Sequence, residues 1–142
     1  MWHFALTILA SGLLFFADAP RSDLDLFQGT WRIARERRNL ENSDRTNEPS
    51  LMIFEGNSLT WKTKDAEAKT TFKIDTTTTP KAFDLQGKLF NFPVTLLGYY
   101  MFKGDALLIR ISDRGKRPSR FPSPQLETGE TEYVLIREKA AK

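Results

Sequence analysis

"FQGTWRIARERR", Phe27 to Arg38, sets a period that most of the chain keeps. Phe27, Gly29, Trp31 and Ile33 share one parity, and Gln28, Thr30 and Arg32 take the other. Alternation of this kind is the signature of a half-buried strand. From Arg35 to Arg38 both faces are charged, so the strand is expected to leave the core there. Gly29 has no Cβ and lets another backbone or a flat ring approach closely. Trp31, one pleat further on the same face, is then expected to plug the floor of a closed barrel.

Working outward, Leu51 to Phe54 reads as a second strand, and Glu55-Gly56-Asn57-Ser58 as a turn into Leu59 to Lys64. Thr70 to Asp75, Ala82 to Leu85, Thr95 to Lys103, Ala106 to Ser112 and Thr131 to Glu138 follow as strands. Asn39 to Pro49 reads as a polar loop, and Arg114 to Gly129, with three prolines, as the longest irregular stretch. About eight short strands joined by tight turns predict an all-β, antiparallel barrel or sandwich. Closure is favoured because it removes exposed edges. No repeat or linker divides the chain, so one domain is expected over residues 24–139.

The chain of 142 residues is 40% hydrophobic and 27% charged, an ordinary globular balance. Phe4 to Phe16 is its only long apolar run, too short for the roughly 20 residues that span a bilayer. Ala17-Asp18-Ala19 offers a signal-peptidase site, so residues 1–19 read as an export signal. The alternative is a buried N-terminal helix or membrane anchor, since no lysine or arginine precedes the run and Pro20 follows the cut. Removing residues 1–19 takes one acid, Asp18, and leaves 21 basic against 17 acidic residues, a net charge of +4. The basic residues are interleaved with acids, without the concentrated stripe that nucleic acid requires.

There is no cysteine, and the only histidine, His3, lies in the expected signal. A mature chain of this composition lacks Ser-His and Cys-His machinery, disulfides, a lipid-anchor cysteine and an imidazole zinc site. No Asn-x-Ser/Thr sequon is present; Thr76 to Thr79 offers hydroxyls for O-linked sugar or simply an exposed loop.

Gly29-Thr30-Trp31 at the head of the first strand resembles the lipocalin-type Gly-x-Trp, whose folds lay a late arginine over the indole. Arg137, in "TEYVLIRE", matches that arginine. A wider resemblance covers nearly the whole mature chain. "LFQGTWRI", "TPKAFDL", "LLGYYMFKGDALLIRIS", "RPSRFPSP" and "YVLIRE" follow in the order of a family of short, exported, lipocalin-like proteins abundant in planctomycetes. That family has no established activity. The resemblance implies a lipocalin-like barrel closed by Gly29, Trp31 and Arg137. Relatives often carry a cysteine where this chain has Ile109-Arg110-Ile111, so no thiol role carries over.

Trp61, Phe72, Tyr100 and Tyr133 are the candidates for lining a ligand cavity; filling the core is the competing role. Tyr99, Met101 and Phe102 share that ambiguity. Lys81 and Asp84 in "TPKAFDL" either face a barrel mouth or are solvated beside a proline turn. Asp75, Asp84, Asp105, Asp113 and Glu55 are the carboxylates near strand ends, and acid–base catalysis needs two of them converging. Arg110, Arg114, Lys116, Arg117 and Arg120 form the densest basic stretch, read as a solvated loop or a site for an anionic partner. The expected function is a secreted or envelope-located, non-catalytic barrel that binds a small apolar or amphipathic ligand. No metal or cofactor, no nucleic acid, no transmembrane span after cleavage and a monomeric state are expected. The alternative is an extracellular or envelope protein-interaction domain with a filled core.

Overall fold

A computed structural model describes residues 21–39, 41–44 and 50–139. The expected signal over residues 1–19, and the anchor helix that is its alternative, lie outside the described residues. Among the described residues no helix is long and apolar enough to cross a membrane.

The described chain is all-β apart from one short helix, α1 (Asp23–Phe27). The strands are β1 (Gly29–Arg38), β2 (Glu41–Asp44), β3 (Leu51–Glu55), β4 (Ser58–Lys62), β5 (Glu67–Asp75), β6 (Ala82–Leu89), β7 (Phe92–Lys103), β8 (Ala106–Ser112) and β9 (Glu130–Arg137). Each of β3 to β8 pairs antiparallel with the next, and β1 pairs with both β3 and β9. Eight strands, β1 and β3 to β9, therefore close an antiparallel barrel, while β2 adds to the far part of β1. Closure leaves the long strands no free edge of their own.

Several elements differ from the reading of the sequence. Phe27 belongs to α1 and not to the first strand. Ser22 caps that helix, its hydroxyl accepting from the Asp25 N–H at 3.2 Å, and Asp23 and Asp25 sit in the first turn. A segment read as loop contributes β2. The β6–β7 pairing runs on to Leu89 and Phe92, joined by Phe90 and Asn91 at φ +49° and +73°. That pair of positive angles marks a tight hairpin turn.

β1 also stays in the barrel beyond Ile33. The register with β9 shifts between Ile33 and Arg35, a bulge that moves the inward phase. Trp31 and Ile33 point inward before it, and Glu36, only 4% exposed, is buried after it.

At the α1 end the closure is built from three residues. Trp31 and Arg137 are register partners, and the Arg137 guanidinium lies 4.2 Å from the indole centroid. Arg137 also donates to the carbonyls of Leu26 (2.6 Å) and Gln28 (2.7 Å), which end α1, and the indole N–H donates to the Phe27 carbonyl at 2.7 Å. Gly29 sits at φ +113°, and a Cβ there would stand 3.0 Å from Arg137 Nη1. Gly29→Ala is therefore expected to lower stability by about 1–3 kcal/mol. A urea midpoint equal to that of the parent would contradict this account of the closure.

Phe27 joins the buried Trp31 in filling this end of the barrel. Its fully buried ring centroid lies 4.9–5.9 Å from those of Tyr100, Phe54, Phe102, Phe72 and Phe83. Edge-on and stacked contacts of this kind add to the area they bury. This half of the interior is solid aromatic packing.

Candidate functional site

The other half of the barrel interior is open. There Trp61 of β4, Leu89 of β6, Val94 and Leu96 of β7, Ile111 of β8 and Tyr133 of β9 line a chamber of about 550 Å³. They come together because they occupy the inward parity near the ends of their strands, where no residue equivalent to Phe27 fills the space. The Trp61 and Tyr133 rings meet edge-on at 5.2 Å.

The bulge in β1 supplies the polar element. Glu36 faces Tyr133 across the β1–β9 ladder, and Arg38 donates to Glu36 Oε1 from Nε at 3.0 Å. Burial alone would weaken the charge on Arg38, but Glu36 and Tyr133 outweigh it and raise its affinity for the proton. The chamber thus has one apolar wall and one polar wall, the latter formed by the permanently charged Arg38 with Asn39, Asp113, Thr128, Glu130 and Thr131. Sequence reasoning missed Glu36 and Arg38 because a bulge leaves no mark on the alternation beyond apparent loss of pattern.

Of the four proposed lining residues, Trp61 and Tyr133 lie together in the chamber. Phe72 and Tyr100 lie in the aromatic half, Phe72 against Phe27, Phe54 and Phe83, and Tyr100 against Phe27 and Phe102. The Tyr100 hydroxyl donates to Asp23 Oδ2 at 2.7 Å, and Lys81 Nζ donates to the same oxygen at 2.7 Å. Burial would raise the Asp23 pKa, yet the hydrogen bonds from Lys81 and Tyr100 hold it below the ordinary carboxylate value. For Tyr100, burial comes first and the Asp23 carboxylate second, and both push the phenol well above its usual range. The trio borders a groove of about 580 Å³ with Thr78, Pro80 and Phe121. Its hydrogen bonds tie α1 to the β5–β6 loop and β7, which explains those residues as fastenings of the closed end.

In the basic stretch Arg114, Lys116 and Arg120 are exposed, as in a solvated loop, but Arg110 and Arg117 are engaged against the barrel. Arg110 is wholly buried on the outside of the barrel, beneath the 113–129 segment. Nε donates to Glu132 Oε2 at 3.0 Å, Nη1 to the carbonyls of Arg120 (2.7 Å) and Gln125 (3.1 Å), and Nη2 to Glu132 and the Ser123 carbonyl. Arg37 binds the other oxygen of Glu132 from Nε at 3.1 Å. Arg117 grips Asp84 with both terminal nitrogens, Nη2 at 3.1 Å, and donates to the Gly98 carbonyl at 2.9 Å. Hydrogen bonding to Asp84 raises the Arg117 pKa against a smaller opposing effect of burial. Asp84 and Lys81 are therefore engaged away from the chamber.

Among the described residues, no group of three or more histidine, cysteine, aspartate or glutamate side chains could hold a metal ion. Against family models, curated proteins and solved structures, the chain has no significant match.

Proposed function

We propose that this is an exported, lipocalin-like and non-catalytic barrel that takes a small apolar or amphipathic molecule into the chamber at its open end. The observation that carries the reading is the division of one interior into an aromatic-packed half and a chamber of about 550 Å³ that sets an apolar wall of Trp61, Leu89, Leu96, Ile111 and Tyr133 against a polar one. Small-ligand sites are concave, mostly apolar and roughly 300–1,000 Å³, with a few placed polar groups. Arg38 is such a group, with donors beyond those that Glu36 uses for a hydroxyl or anionic head. The non-catalytic part of the proposal draws support from Asp23, Glu36, Asp84 and Glu132, each engaged by a cationic side chain, while the buried Glu130, which lines the chamber with Asp113, accepts from the Glu127 N–H.

Titration with anilinonaphthalene sulfonate, an amphipathic anionic fluorophore, tests the reading. Saturable uptake with energy transfer from tryptophan is expected. Trp61→Ala is expected to weaken uptake at least about tenfold, the loss of roughly 1.5–3 kcal/mol of buried side-chain contact. Absence of saturation, or an unchanged affinity in Trp61→Ala, would remove the proposal. The second reading, an extracellular or envelope interaction domain, is favoured by the filled half of the barrel. It predicts no uptake and a protein partner recovered by crosslinking on intact cells.

A further inference from the structure

The rim of the chamber carries the two most anomalous side chains on the described surface. Phe92 is 73% exposed and Phe90 is 44% exposed, at the tip of the β6–β7 hairpin. A tight turn of this type favours Asn-Gly at its centre, yet here Phe90 occupies the first position at φ +49°. Bulky side chains rarely adopt that conformation. Pro93 beside them is exposed as well. The two strands pair with each other up to the tip, Leu89 with Phe92 and Lys88 with Pro93, and the hairpin projects past its pairing with β5, which ends at Gly87, and with β8, which begins at Leu97.

The outer face running down from the tip is basic. Thr70 faces Gly87, which sets Lys69 beside Lys88, and Lys73 follows one pleat below Thr71. All three lysines are exposed and none forms an ion pair among the described residues. Three acids lie on this face, of which Asp75, at the far end of β5, accepts from Thr77. Glu67 faces Lys62, and Asp84, which faces Lys73, is already occupied by Arg117. An excess of positive charge therefore stands just behind an exposed aromatic tip.

We infer that this edge is a docking surface for an anionic lipid bilayer, with Phe90 and Phe92 entering the headgroup and acyl boundary and Lys69, Lys73 and Lys88 meeting lipid phosphates. Aromatic side chains anchor at that depth, and clustered lysines add attraction to anionic lipid. Leu89 and Val94, which flank the tip, also line the chamber, so docking would set its mouth against the membrane. The inference does not depend on the chamber holding a ligand.

The chain has no cysteine, so Asn91→Cys creates a unique thiol at the tip for an environment-sensitive fluorophore. The full chain is mixed with phosphatidylcholine vesicles containing about a third phosphatidylglycerol. The tip label is expected to brighten several-fold and to be quenched by lipid-borne nitroxides, while a label at Asp105→Cys, in the hairpin at the closed end, stays in water. Pairing the label with Phe90→Ser and Phe92→Ser, or with Lys69→Glu and Lys88→Glu, is expected to cut vesicle partitioning of the tip at least about tenfold. Attachment through the apolar run Phe4 to Phe16 would leave the tip label in water, and that result overturns the inference. So does a tip response that survives the loss of both phenylalanines.

Discussion

Arg110→Ala is expected to destabilise the protein by about 3–5 kcal/mol, a large part of the roughly 5–15 kcal/mol that holds a domain folded. All five N–H groups of this fully buried guanidinium are used, on Glu132 and on the carbonyls of Arg120, Ser123 and Gln125. Truncation leaves three carbonyls without a donor and Glu132 with Arg37 alone. Unpaired buried groups carry their full desolvation cost, which outweighs the net value of the bonds that were present. Arg110→Lys is expected to recover little, since a compact ammonium has three donors and lacks the planar fork. The 113–129 segment, held to the barrel by these carbonyls and by Arg117 on Asp84, should then be cut first in limited proteolysis. The pair itself differs from its breakage. Arg110→Met with Glu132→Leu is expected to regain part of the loss, because two apolar side chains leave no stranded charge. Urea midpoints of the three variants check the order. A parent-like midpoint for Arg110→Ala would mean that the segment is fastened elsewhere.

That network shows where sequence stops informing. The alternation around Trp31 and the late Arg137 made barrel closure legible, because both signals are local or are tied to a known resemblance. In the structure the Arg137 guanidinium lies 4.2 Å from the indole centroid, and a Cβ at Gly29 would stand 3.0 Å from it. Arg110 and Glu132 are 22 residues apart, and a row of arginines among prolines looks the same in water as under a loop. Glu36 was hidden for a different reason. One extra residue in β1 reverses the inward parity, so a buried carboxylate reads as the start of a solvated end. Phe90-Asn91 puts a bulky ring where the turn prefers Asn or Gly and has Asn91 as its one usual turn residue, so the hairpin that frames the chamber read as an unassigned gap. Trp61 and Tyr133 were legible as aromatics on strands, but their meeting in the chamber, and the separation of Phe72 and Tyr100 from it, depends on which end of each strand they occupy.

Phe27→Ala is expected to cost about 3–5 kcal/mol, from lost burial and from the cavity left among five aromatic rings. Phe27→Leu should lose much less, because it keeps most of the volume. This prediction separates the two halves of the interior. Phe27 anchors the solid half, whereas Trp61 belongs to the chamber. Phe27→Ala should therefore shift the urea midpoint strongly while leaving fluorophore affinity near that of the parent at temperatures where the variant is folded. Trp61, only partly buried, should show the opposite response on truncation: affinity falls and the midpoint moves little. The crossed pattern requires the aromatic cluster to bear stability and the chamber to bear binding. If Phe27→Ala instead abolished uptake in a folded protein, the two halves would be one packed unit, and the open end could not be a preformed site.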